Sequence, residues 1–135
     1  MSRVLAQMLA LSLVVVSVAG CQKPVASKDR YEGLSQAILA WRGDIAGTTA
    51  CGAQAADGGK GCQGFTVGCK VEQPFGSNEP GVSAKVLAGM SWDVWNPQTE
   101  EYEPSSGAAV FAKTDGQWVR QDVNRPINLG TCATS

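Results

Sequence analysis

From Val82 to Val94 every second residue is apolar: Val82, Ala84, Val86, Ala88, Met90, Trp92 and Val94 alternate with Ser83, Lys85, Leu87, Gly89, Ser91 and Asp93. A period of two sends the two sets to opposite faces of a β-strand. A strand of this length has to lie in a sheet with one face on a core, so the segments around it must supply partner strands and a cover. It is also expected to bend, and Gly89 is the natural place for the bend.

The flanking segments meet that demand. Phe65, Val67, Cys69 and Val71 alternate with Thr66, Gly68, Lys70 and Glu72, which predicts a half-buried strand with Cys69 pointing inward. Pro74 to Gly81 is turn chemistry. Asn96-Pro97-Gln98-Thr99 suits a type I turn, which would return Tyr102 toward Trp95. Pro104-Ser105-Ser106-Gly107 reads as a further break, after which Ala108–Lys113 and Gln117–Val123 form a hairpin about Asp115-Gly116. A two-residue turn pairs Lys113 with Trp118 and Phe111 with Arg120. It places Val110, Ala112, Val119 and Val123 on the expected core face, and leaves Phe111, Lys113, Trp118 and Arg120 as a surface patch of cations stacked on rings.

Ahead of the strands, Asp29-Arg30-Tyr31-Glu32 has the form of a capping box, with Ser27 as an alternative cap. Tyr31, Leu34, Ile38 and Trp41 then line one helical face, and Gly43 after Arg42 is the expected stop. The order is one N-terminal helix and four antiparallel strands, an α+β fold. Element order alone makes it similar to the cystatin-like fold and to the ketosteroid-isomerase-like cone fold with helices missing.

The five cysteines cannot all pair within one chain. Cys21 stands apart. Arg3 is followed by an apolar run from Val4 to Val18, interrupted only by Gln7, Ser12 and Ser17, which is a secretory signal pattern rather than a spanning helix. Val18-Ala19-Gly20-Cys21 resembles the lipobox of bacterial lipoprotein precursors, with Val18 where that family usually has Leu. The resemblance implies cleavage before Cys21 and acyl chains covalently bound to Cys21, with no other cofactor. Two or three such chains suffice for stable anchoring. Gln22, in place of the Asp that signals inner-membrane retention in many such precursors, implies the outer membrane, facing the periplasm. The expected organisation is a signal peptide over 1–20, a lipidated N-terminus and tether over 21–28, and one globular domain over 29–135. Gln22 to Ser27, fully extended, reaches about 20 Å.

Without residues 1–20 the chain keeps 10 basic side chains, since Arg3 departs from the 11, against 12 acidic ones. That balance gives no electrostatic case for nucleic acid. Cys51, Cys62, Cys69 and Cys132 remain, an even number in an oxidising compartment, and predict two disulfides. Three connectivities are possible; the preferred one joins Cys51 to Cys62 around the glycine-rich loop and Cys69 to Cys132 across the fold. A zinc site is disfavoured by the lack of any Cys-x-x-Cys pair and of any histidine.

The absence of histidine also removes the Ser-His-Asp and Cys-His constellations, and paired cysteines leave no thiol nucleophile. Glu100, Glu101 and Glu103 cluster at a turn, where acids are usually solvated. Gly47 to Gly64 is expected to be a loop. Its "DGGKG" fails the phosphate-loop template, with Gln54 for the first glycine and Gly61 for the hydroxyl. The expectation is a membrane-tethered binding domain without catalysis, in contact with an envelope protein through Phe111, Lys113, Trp118 and Arg120, with the 52–61 loop as a further candidate contact. An inhibitor or immunity-type partner of a hydrolase is one specific form. The alternatives are a structural envelope lipoprotein, or a carrier with an apolar pocket lined by Met90, Trp92 and the helix stripe.

Overall fold

The computed structural model describes residues 30–56 and 60–134. The signal stretch, Cys21, the tether and the Ser27 or Asp29 cap lie outside the described residues, as does the centre of the 52–61 loop. Among the described residues two helices, α1 (Leu34–Ala46) and α2 (Thr49–Ala56), precede four strands, β1 (Cys62–Glu72), β2 (Val82–Asn96), β3 (Glu101–Thr114) and β4 (Gln117–Val123). The strands form one antiparallel sheet in the order β1-β2-β3-β4, with α1 packed on one face. Disulfides join Cys51 to Cys62 and Cys69 to Cys132. The fold is α+β.

The helical limits differ from the sequence expectation. α1 starts at Leu34, after a turn in which Gly33 has φ 84° and no side chain caps the helix. It continues through Gly43 to Ala46. A glycine ends a helix by adopting a left-handed conformation; Gly43 does not, and Ile45 beyond it still packs on the core. Where a loop was expected, Thr49–Ala56 is helical. Alanine is the strongest helix former, and four alanines lie in this stretch.

The core under α1 is made by Leu34, Ile38 and Trp41 against Val86, Ala88 and Met90 of β2 and Ala109 and Phe111 of β3. Trp41 meets Phe111 edge to face, with ring centroids 5.8 Å apart. On the opposite face, the chain after β4 forms a strap. Ile127 and Cys132 of the strap pack against Leu87, Ala108, Val110 and Val123. Asn128 holds the strap's loop, accepting at its carbonyl from the Cys132 amide (2.7 Å) and donating its own amide to the Ala133 carbonyl (2.8 Å). Two glycines let the strap approach. A Cβ on Gly68 would lie 2.6 Å from the Leu129 carbonyl oxygen, and one on Gly89 2.9 Å from Ile127 Cδ1. β2 runs unbroken through Gly89, whose task is close packing. Both clusters and both disulfides are built wholly within residues 34–132, so the chain from Gln22 onward holds what the core needs to fold.

Three strand assignments change. In β1 the pairing shifts between Val67, opposite Met90, and Cys69, opposite Gly89, leaving Gly68 as the extra residue of a bulge. Phe65 and Val67 therefore lie on the α1 face, while Cys69 and Val71 lie on the strap face. β3 begins at Glu101, so Pro104-Ser105-Ser106-Gly107 is strand, paired with Asp93, Trp92, Ser91 and Met90. β4 covers only Ala108–Thr114 of β3, so Pro104 lies where no fourth-strand ladder needs its missing N–H.

The third change concerns the β3–β4 hairpin. Its register is as expected, with Thr114 opposite Gln117 and Asp115 and Gly116 both at positive φ, as a type I′ turn requires. Its faces are reversed. Phe111 lies opposite Val86, the inward residue of β2, and cross-strand neighbours share a face. Phe111 is 1 % exposed and Val119 is 57 % exposed.

Candidate functional site

Of the four expected patch residues, Phe111, Trp118 and Arg120 contact α1 or the turn before it, and Lys113 lies beside Trp118. Phe111 is core. Trp118 donates Nε1–H to the Glu32 carbonyl at 2.8 Å, beside the start of α1. Arg120 reaches Asp44 near the other end at 2.6 Å and also contacts Asp122 at 3.1 Å. Lys113 Nζ lies 5.9 Å from the Trp118 ring centroid, as the pairing predicts. The Phe111–Arg120 stack does not form, because Trp41 takes that ring. Trp118 and Arg120 are half-buried. One member of the expected surface patch is corrected, since Phe111 is buried in the core; Trp118 and Arg120 tie the helix to the β4 side of the sheet.

Because α1 is pinned there, its other flank stands over β1 with a groove between them. At the N-terminal end of the groove a cavity of about 310 Å³ is lined by Tyr31, Leu34, Ser35, Lys70, Glu72 and Val86. In the middle, about 100 Å³ lies among Ile38, Leu39, Phe65, Val67 and Met90. This opens, past Arg42 and Phe65, into about 530 Å³ bounded by Ala46, Gln63 and Gly64. Leu39 is 59 % exposed on the wall, and Val67 is 37 % exposed opposite.

Charge is distributed unevenly along this groove. Arg30 and Tyr31 both reach Glu72, the tyrosine donating its hydroxyl at 2.7 Å. That hydrogen bond raises the Tyr31 pKa above its ordinary value, since the protonated phenol is the donor; slight desolvation adds to it. Arg42 lies over Phe65, 5.1 Å from the ring centroid, and Phe65 in turn stacks on Trp92 at 6.0 Å. Among the described residues, neither Arg42 nor Lys70 has a carboxylate within 4.0 Å. The middle of the groove is thus apolar, with Arg42 toward one end and Lys70 toward the other, where Glu72 is taken up by Arg30.

The remaining chemistry is sparse. Glu100, Glu101 and Glu103 are exposed at the β2–β3 turn, and Glu103 accepts from Asn96 Nδ2 at 2.6 Å. Among the described residues no group of three possible ligands could hold a metal ion. Trp95 and Tyr102 meet across the hairpin, ring centroids 5.1 Å apart, with Lys60 over the indole at 4.6 Å. Of the residues expected to line an apolar pocket, Ile38 and Met90 border the cavity of about 100 Å³, and Trp92 stacks on Phe65.

Sequence reasoning missed Leu39, Arg42, Phe65, Val67 and Lys70 as neighbours. One signal was present: Leu39 is the apolar residue of α1 that falls off the Leu34-Ile38-Trp41 stripe. In comparisons with family models, with curated proteins and with solved structures, nothing matches the chain.

Proposed function

We propose that this chain is an exported lipoprotein, held at the outer membrane by acyl chains on Cys21, whose disulfide-locked domain binds a partner in the envelope and performs no catalysis. The observation that carries the reading is the cysteine pairing. Cys51–Cys62 and Cys69–Cys132 account for four of the five cysteines, and the fifth is the one that follows Val18-Ala19-Gly20. Structural disulfides suit export, and an odd cysteine behind an apolar run suits lipidation. Binding is assigned to the surface, where the groove between α1 and β1 leaves Leu39 and Val67 exposed. An envelope hydrolase inhibited by the domain is the specific form of partner.

Metabolic labelling with an alkynyl fatty acid tests the anchor. The wild-type protein is expected to take up label and to sediment with membranes, and Cys21→Ser to do neither. A Cys21→Ser protein that stays labelled, or a wild-type protein that is soluble and unlabelled, overturns the reading.

A further inference from the structure

We infer that the α1–β1 groove is the surface on which the domain docks to its own membrane, seating an anionic phospholipid along Leu39, Phe65 and Val67. This deepens the proposed function and rests on its anchor. Three observations carry it.

The first is where the tether ends. Eight residues lie between Cys21 and Arg30, a reach of at most about 30 Å over the nine steps. Arg30 is ion-paired to Glu72, one of the residues that line the N-terminal mouth of the groove. The 13 residues of α1 span about 20 Å, so the whole groove lies within reach of the surface that holds Cys21. The second is the exposed apolar wall. Leu39 and Val67, at 59 % and 37 % exposure, line the same cavity and together offer apolar surface that a lipid chain would cover.

The third is charge. The domain is slightly acidic overall, yet the groove carries Arg42 and Lys70 without acidic partners among the described residues. Glu72, the acid in the same lining, is paired with Arg30, so the charged side chains along the groove are net positive. Cations flanking an apolar trough match a lipid whose headgroup is anionic and whose chain is not. Phe65 holds the Arg42 guanidinium beside that trough.

The test uses the chain from Gln22 onward, both disulfides formed and no lipid attached, with vesicles of phosphatidylcholine alone or with one third phosphatidylglycerol. Co-sedimentation is expected with the anionic vesicles only, and is expected to weaken in salt. Arg42→Ala and Lys70→Ala should each lower the partition coefficient about fivefold. Leu39→Glu, at a site exposed enough to leave the core intact, should abolish binding. Arg125→Ala, which removes the same charge beside the strap, should change it less than twofold. An Arg125→Ala effect equal to that of Arg42→Ala would reduce the binding to net charge and overturn the groove assignment. Binding to neither vesicle also overturns it and leaves the groove to a protein segment added along β1. The assay contains no anchor, so either failure leaves Cys21 lipidation standing, and an unlabelled Cys21 leaves the vesicle result standing.

Discussion

Gly68 is the residue on which β1 changes face, and it is also where the strap comes nearest to that strand. A methyl group there would meet the Leu129 carbonyl oxygen, which is backbone and cannot rotate away. Gly68→Ala is therefore expected to cost about 1–3 kcal/mol, read as a lower urea midpoint at an unchanged slope. An unchanged midpoint would mean that the strap does not lie against β1. Val86→Asp tests the other face. Val86 is 4 % exposed in the main core, and an unpaired buried charge costs several kcal/mol against a total stability of about 5–15, so loss of the folded circular dichroism signal is the expected result. The inward phase of β2 was legible because Val86, Ala88 and Met90 alternate with more polar residues. The two faces of β1 were not, since strict alternation assumes one partner per residue and a bulge breaks that count. Nothing in Val67-Gly68-Cys69 announces the bulge except the glycine, which sequence reasoning also expects in flat strands.

At the scale of elements, the hairpin and the helix illustrate what local chemistry can and cannot decide. Asp115-Gly116 fixed both the turn and the register of β3 and β4. It did not fix which side faces inward, because Val119 and Trp118 are both apolar enough to be buried. That choice is made by β2, through the pairing of Phe111 with Val86, and then by Trp118, whose N–H finds the Glu32 carbonyl. Trp118→Ala is expected to cost about 2 kcal/mol, from lost apolar burial and the lost hydrogen bond. Arg120→Ala should cost less than about 1 kcal/mol, since its partner Asp44 is largely exposed. Equal costs in urea unfolding would show that the ion pair, rather than the indole, pins α1. The helix makes the complementary point. Gly43 was read as a stop, but lies within α1 with open space where a Cβ would be. Gly43→Ala should then stabilise the protein by about 0.5–1 kcal/mol, seen as a raised urea midpoint, whereas a glycine that ended the helix would make the same change destabilising. The groove was illegible for the same reason as the hairpin faces: it exists because Trp118 and Arg120 draw α1 toward β4, a tertiary preference that no window of sequence contains.

On the scale of the whole molecule, the two disulfides divide the labour unequally. Cys51–Cys62 spans a separation of 11 residues and ties α2 to the start of β1; Cys69–Cys132 spans 63 and holds the strap across the sheet. The even cysteine count made two bridges legible, and only the folded arrangement shows that one of them fastens the cover of a whole sheet face. Restricting the unfolded chain is worth about 3 kcal/mol for the short loop and about 4 for the long one in the chain-entropy treatment. The long bridge also keeps Ile127 and Cys132 packed on Leu87 and Ala108, so its loss exposes apolar surface as well as freeing the chain. Replacing Cys69 and Cys132 together by Ala should thus lower the melting temperature more than replacing Cys51 and Cys62, and should uniquely increase binding of a hydrophobic dye by the folded protein. In both variants the remaining pair should resist thiol alkylation before unfolding. If the short-bridge variant proved the less stable, with no dye binding by the other, the strap would be a passenger on the sheet and the domain would consist of α1, α2 and four strands alone.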